Sequence, residues 1–262
     1  MRCQRFFISP EFIDRQQGLV RIYDPAVINQ IRNVLRLKRG DQVIILDGQG
    51  GMYRCCLDKP AATGVEARII DEHQAMDDPR VAVTVALPPL RGGRFEWALQ
   101  KLTELGVARV VPIVSARSVV KPQSRSPGVE TSKLTRWQAI MREAAEQCER
   151  ASIPEVRQTM SLSSFVNSEL WAPESAEHVS VACAERREAP LLAHLLRQLS
   201  AAEQPLKSMS VLVGPEGGLA DQEIELASDS GGLLVSLGGR ILRSETAAIY
   251  ALAQITFTFG DG

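Results

Sequence analysis

The hydrophobic period of this chain changes once, at a polar, proline-terminated stretch, Asp71-Glu72-His73-Gln74-Ala75-Met76-Asp77-Asp78-Pro79. Before it, apolar residues come in short β-rich runs at Arg5–Ile8, Leu19–Tyr23, Val43–Leu46, Met52–Leu57 and Val65–Ile70, punctuated by Gly, Asp and Pro. Asp47-Gly48-Gln49-Gly50-Gly51 reads as a turn between two of these strands. One helix interrupts them: Val27, Ile28, Ile31, Val34 and Leu35 recur at helical spacing after Pro25. Short strands with a single helix predict a small barrel.

Beyond Pro79, strands alternate with helices. Val81–Leu87, Arg109–Val114, His178–Ala184, Met209–Val213 and Leu233–Leu237 are strand-like. Between them, Phe95, Leu99, Leu102 and Leu105 mark one helix face, and Leu134, Trp137, Met141, Ala144, Ala145 and Cys148 mark another. Further helices are expected over Leu191–Leu199, Asp221–Ser228 and Glu245–Ile255. This alternation predicts an α/β domain with a mostly parallel sheet. The expected organisation is a barrel over 1–72, a linker over 73–79 and an α/β domain over 80–262. Lys121–Ser132 reads as a long polar loop, and loops of that length are often functional.

Composition narrows the function classes. With 45% hydrophobic and 23% charged residues, the 262-residue chain has material for a real core and is not a disordered or low-complexity protein. No run approaches the roughly 18 apolar residues of a membrane span. The start, Met1 to Ile8, is too short and polar for a signal peptide. Five cysteines without a CxxC, and three histidines far apart, argue against a disulfide framework or a metal site. A reducing cytoplasm is the expected compartment.

The net charge of −1 carries no global sign of a polyanion partner. Locally, Arg117, Lys121, Arg125, Lys133, Arg136 and Arg142 face Glu130 alone, while Arg32, Arg36, Lys38 and Arg39 crowd the end of the lone helix. Each patch taken singly reads as a solvated face; together they form a divided polyanion footprint.

The features closest to chemistry are two glycine-bearing turns after the last two strands. Val211-Leu212-Val213 runs into Gly214-Pro215-Glu216-Gly217-Gly218, and Val235-Ser236-Leu237 runs into Gly238-Gly239-Arg240-Ile241-Leu242-Arg243-Ser244-Glu245-Thr246-Ala247. In open parallel sheets, ligands bind beyond the carboxyl ends of strands, where glycine lets backbone approach closely. Neither turn is a P-loop or a GxGxxG fingerprint, which disfavours kinase and ordinary dinucleotide sites. Ser244 could cap the last helix, and Arg243 could pair with Glu216 or Glu245. Lys101 with Glu104 reads equally as a surface pair, and Gln147–Arg150 as a helix terminus.

Taken in order, these segments resemble the small-subunit ribosomal RNA methyltransferase E family, within the SPOUT (knotted) methyltransferases. The resemblance rests on Arg5-Phe6-Phe7, Val34-Leu35-Arg36-Leu37-Lys38-Arg39-Gly40-Asp41, Gln100-Lys101-Leu102-Thr103-Glu104-Leu105-Gly106-Val107 and Glu143–Arg150. Gly214–Gly218 and Leu242–Ala247 complete a set that covers nearly the whole chain. The chain departs from the family pattern at Gln30 (commonly His), at Glu149 (usually Gly) and at Arg91-Gly92-Gly93-Arg94.

The resemblance implies a small N-terminal PUA-like β-barrel that grips RNA, followed by a SPOUT α/β domain with a C-terminal trefoil knot. It implies S-adenosylmethionine as cofactor and methylation of uridine N3 in the decoding region of 16S rRNA, on the assembled 30S subunit. It also implies a homodimer; that no membrane and no metal are expected rests on the composition above. Related readings are methylation of ribose 2′-OH or of tRNA, and a non-catalytic RNA-binding assembly factor. Expected cofactor contacts are Leu212, Val213, Gly214, Gly217, Leu237, Gly238, Ile241, Leu242 and Thr246. Expected RNA contacts are Arg32, Arg36, Lys38, Arg39, Lys121, Arg125 and Arg150. The N3–H of uridine is a weak acid whose proton must leave before or during attack. Glu216 or Glu245 is therefore the expected proton acceptor, and Arg243 the cation for charge developing on O2 and O4.

Overall fold

The computed structural model describes residues 3–58, 64–74, 79–119, 127–184 and 187–260. Two compact units emerge: Met1–Asp77 with Ala145–Ile153, and Asp78–Ala144 with Pro154–Gly262. No helix among the described residues is long and apolar enough to cross a membrane.

The first unit is a six-stranded mixed sheet made of β1 (Gln4–Phe7), β2 (Ile13–Asp14), β3 (Leu19–Ile22), β4 (Gln42–Leu46), β5 (Gly51–Leu57) and β6 (Val65–Gln74), in the order β1-β4-β5-β6-β3-β2. Among the described residues β1 and β4 pair in parallel, and the other strand pairs of this sheet are antiparallel. Its core gathers Phe6, Val20, Ile22, Val43, Ile45, Tyr53, Leu57 and Val65 around Val27, Ile28 and Ile31 of the lone helix. β6 runs through His73 and Gln74, the first residues of the expected linker, whose positions 75–78 lie outside the described residues.

The helix itself differs from its predicted spacing. Asp24 accepts a hydrogen bond from Ala26 N–H and Pro25 takes the first helical position, so α1 (Pro25–Asn29) starts as its sequence predicts. It then widens into a π-helical turn over Gln30–Val34, with Leu35 N–H donating to the Gln30 carbonyl at 2.9 Å. The extra residue in the turn shifts the helical phase, and Val34 ends 66% exposed instead of on the buried face.

The segment Ala145–Ile153 belongs with this first sheet. Phe7 and Leu46 pack against Ala145 and Ala151. Glu149 sits in the left-handed region at φ 71°, and its carboxylate pairs with Arg5 at 2.8 Å.

The second unit is built on a parallel sheet: β7 (Ala82–Leu87), β8 (Arg109–Val114), β9 (Glu155–Val156), β10 (Met160–Ser161), β11 (His178–Cys183), β12 (Ser208–Leu212) and β13 (Leu233–Val235). The order is β10-β8-β7-β12-β11-β13, with β9 paired to β8. Its helices are α2 (Arg94–Glu104), α3 (Pro127–Cys148, of which 145–148 belong to the first unit), α4 (Leu162–Val166), α5 (Leu192–Ser200), α6 (Asp221–Asp229) and α7 (Ser244–Phe259). Alternating strand residues feed two cores. Val83, Val85, Met209, Val211 and Val181 meet Leu99, Trp137, Leu196 and Leu252 on one face. Ala86, Val111, Ala182 and Leu212 meet Phe165, Trp171 and Ile224 on the other. Helices cover both faces, as a parallel sheet requires.

α3 begins at Pro127, so the second half of the expected 121–132 loop is helical, while 121–126 lie outside the described residues. α4 is an addition, capped by Ser161, which accepts from Ser164 N–H at 3.0 Å.

Candidate active site

Because the strands of the second unit are parallel, the carboxyl ends of β11, β12 and β13 open on one edge. A cavity of about 1050 Å³ lies there. Cys183 at the end of β11 with Ala184 and Arg187 after it, Val213–Gly214 and Glu216–Leu219 after β12, and Ser236–Leu242 after β13 form its wall, with Arg117 from the turn after β8.

Two glycines set the shape of the wall. Gly238 holds φ 117°, a backbone state that side chains rarely adopt, and nothing stands within 4 Å of where its Cβ would be. At Gly214 the reason is contact. A Cβ there would come 3.0 Å from Leu219 N and 3.1 Å from Leu219 Cγ, because the loop folds back on itself.

Side chains from distant elements fix these loops. Ser244 Oγ donates to the Gly214 carbonyl at 2.7 Å, tying the start of α7 to the turn after β12. Ser244 therefore does not cap α7: it is the first helical residue, and Arg243 occupies the cap position without a side-chain cap bond. Arg117 Nη1 donates to the carbonyls of Gly217 at 3.0 Å and Leu219 at 3.3 Å. Glu223 accepts from Ala116 N–H and from Ala220 N–H, closing α6 onto the same turn. Arg187 pairs with Asp221.

The carboxylates find an unexpected partner. Arg94, at the start of α2, pairs with Glu216 at 2.7 Å and stands 3.8 Å from Glu245. The pairing expected for Arg243 thus goes to Arg94, and Arg243 itself is exposed. Lys101 forms the plain surface pair with Glu104 at 2.7 Å.

Of the expected cofactor contacts, Val213, Gly214, Gly217, Leu237, Gly238, Ile241 and Leu242 line the cavity. Leu212 is fully buried in the core under the sheet, and Thr246 is exposed on the first turn of α7; neither is in the wall. Among the expected catalytic residues only Glu216 is in the wall, while Arg243 lies outside it and Glu245 is 5% exposed. Arg117, Arg187, Asp221 and Arg240 line it as well. Arg240 was within reach of the sequence, since it follows the Gly238-Gly239 pair directly.

The expected RNA contacts of the first unit are at its surface. Arg32, Arg36, Lys38 and Arg39 are all exposed; Arg36 takes a left-handed φ of 53°, and Arg39 lies 3.7 Å from Asp58. Arg150 is half-buried, with Nη2 donating to Ser152 Oγ at 3.0 Å. Lys121 and Arg125 lie outside the described residues.

Comparison with known proteins supplies the class. The family model of an RNA methyltransferase domain matches residues 77–256, and that of an RNA methyltransferase PUA domain matches residues 26–70. The chain is thus an RNA methyltransferase carrying a PUA domain.

The chain belongs to the ribosomal RNA small subunit methyltransferase E family. It is 31% identical over 254 residues to that protein of Bacillus subtilis, covering 97% of this chain and 96% of the relative. The Synechocystis protein is 37% identical over 231 residues, covering 88% and 70%. Among solved structures, the Neisseria gonorrhoeae family member bound to S-adenosyl methionine matches with a TM-score of 0.81 at 26% identity over 98% of each chain. A putative methyltransferase of Legionella pneumophila in complex with the same cofactor matches with a TM-score of 0.82 at 30% identity over the full length of both.

Proposed function

We propose that this chain methylates N3 of a decoding-region uridine in 16S rRNA on the assembled 30S subunit, using S-adenosylmethionine, in the cytoplasm. The observation that carries this reading is the cavity at the carboxyl edge of the parallel sheet. Two glycine turns and a cross-tie from Ser244 shape its wall.

The residues present fit the cofactor. Val213, Leu237, Ile241 and Leu242 offer apolar surface, and Gly214, Gly217 and Gly238 leave backbone groups accessible. Glu216 and Asp221 suit a cationic ligand, and the wall arginines suit its carboxylate. When bound, S-adenosylmethionine supplies a methyl group on a sulfonium that carries its own leaving group. The protein's share is to align the uracil and to manage charge. Of the two expected acceptors, Glu216 is in the wall and is the candidate to take the N3 proton, while Glu245 is buried. Arg240 in the wall and Arg243 at its margin are the cations for charge on O2 and O4. Replacing Arg243 with Ala should lower single-turnover methylation while cofactor binding persists, and replacing Glu216 with Gln should lower it even at saturating cofactor; an unchanged rate removes that residue from the mechanism.

The exposed cations of the first unit, Arg32, Arg36, Lys38 and Arg39, would meet RNA phosphates, so binding should weaken steeply with salt. A trefoil knot would form where 236–243 and the Gly214 turn meet, beside the bond from Ser244 Oγ to the Gly214 carbonyl. A homodimer would use α7, which exposes Tyr250 and Phe257, the latter 90% exposed, together with the exposed Trp97 of α2.

The test uses small subunits from cells lacking this gene and cofactor labelled in its methyl group. Labelled 3-methyluridine in digested 16S rRNA is the expected product. Label in a 2′-O-methyl nucleoside would move the specificity, and no label with intact cofactor binding would contradict the reaction.

A further inference from the structure

Three strand-to-helix connections meet at one side chain. Gly93 takes φ 75° just before α2 and brings Arg94 to the first helical position. There its Nε donates to the Arg91 carbonyl at 3.1 Å, while Nη2 donates to Glu216 Oε1 at 2.7 Å. Its Nη1 lies 3.8 Å from Glu245 Oε1. Arg91 belongs to the connection after β7, Glu216 to the connection after β12, and Glu245 to the start of α7 after β13. The last two connections supply most of the cavity wall.

Glu245 makes the arrangement costly to disturb. Its side chain is 6% exposed, and its Oε2 is buried without a hydrogen-bond partner among the described residues. A carboxylate so placed depends on nearby positive charge, since burying an unpaired charge is unfavourable. The guanidinium is suited to the task, because its planar fork can face two carboxylates at once, whereas an ammonium is a point charge.

We infer that Arg94 is a positioning residue for cofactor binding. It holds Glu216 and Glu245 so that the turn after β12 and the start of α7 present one preformed wall. Arg94 itself is outside the cavity wall and acts through Glu216. This rests on the cofactor reading above.

The test measures S-adenosylmethionine binding by calorimetry, and KM and kcat for methylation of small subunits, on the full-length protein. Arg94→Met should weaken cofactor binding and raise the cofactor KM by roughly tenfold, a larger change than the fall in kcat that it causes through Glu216. Arg94→Lys, which keeps the charge beside Glu245 and guards against a folding failure, should fall between Met and wild type. Lys binding cofactor as wild type does would overturn the inference. So would a loss of thermal stability in either variant with unchanged cofactor affinity. A wild-type protein that binds no cofactor would overturn the underlying reading, and the inference with it.

Discussion

The two ends of the parallel sheet use the same residue types for opposite purposes. At the carboxyl end, glycines and serines shape open turns: Gly214 and Gly238 face a cavity, and Ser244 ties one turn to the next helix. At the amino end, they close a packed plug. Gly232, just before β13, lies under the indole of Trp171, which is 1% exposed and donates to the Ala227 carbonyl at 3.3 Å. Ser180 Oγ donates to the Trp171 carbonyl, and Ser210 Oγ to that of Leu170. His178 bridges Ser208 Oγ at 2.7 Å and Ser180 Oγ at 2.9 Å. Because Ser180 spends its proton on Trp171, it accepts from His178 Nε2–H, and Nδ1 accepts from Ser208. Polar groups at the amino end are satisfied internally. At the carboxyl end, backbone is left accessible for a ligand.

If this contrast is right, substitutions at the two ends should separate stability from cofactor affinity. The largest effect belongs to Gly232→Ala, whose Cβ would fall within the Trp171 indole and 2.8 Å from the Ala227 carbonyl. Overpacking there should cost about 3 kcal/mol, read by urea unfolding, with cofactor affinity of the folded fraction unchanged. Gly214→Ala should do the reverse. The tight contacts with Leu219 displace the turn and weaken cofactor binding roughly tenfold to a hundredfold by calorimetry, with a smaller drop in unfolding midpoint.

A weaker test uses pH. Burial pushes the His178 imidazole below its ordinary value of 6.5. Its folded value is thus below its unfolded value, so its contribution is complete above about pH 6.5 and is lost as pH falls through the folded value. Unfolding midpoints should decline on acidification in that window. His178→Gln should flatten the decline, while cofactor affinity at neutral pH stays unchanged.

The smallest effect tests whether glycine at a bend outside both ends behaves differently again. Glu149→Ala loses the Arg5 pair and keeps the left-handed strain; Glu149→Gly loses the pair and the strain. Gly should be the more stable of the two by about 1 kcal/mol in urea unfolding. Equal stabilities would mean the bend carries no strain.

Much of the carboxyl end was legible in the sequence, because glycines directly after β-rich runs mark where backbone must turn at the end of a strand. β7, β8, β11 and β12 were equally legible, each being a run long enough to show its period. Two-residue β9 and β10 are too short to have one. α4 does carry a signal, Ser161 before Leu162, Phe165 and Val166, but it is masked by the neighbouring serines. The early start of α3 is hidden because Pro127 and Gly128 open it and residues 130–133 separate the lone Val129 from the periodic apolar face that starts at Leu134. The π turn after α1 has no local signature, since apolar spacing alone does not separate it from an α-turn. Least legible is Arg94, whose partner Glu216 is 122 residues away. Sequence spacing favours the nearer Arg243, and only the fold shows which arginine arrives.

The most direct measurement of the contrast is amide hydrogen exchange of the wild-type protein with and without S-adenosylmethionine. Protection should rise in 213–219 and 236–242 and stay unchanged in 170–180 and 230–233. Protection at the Trp171 end, or none around Gly214 and Gly238 at saturating cofactor, would contradict the assignment of the carboxyl edge as the cofactor site.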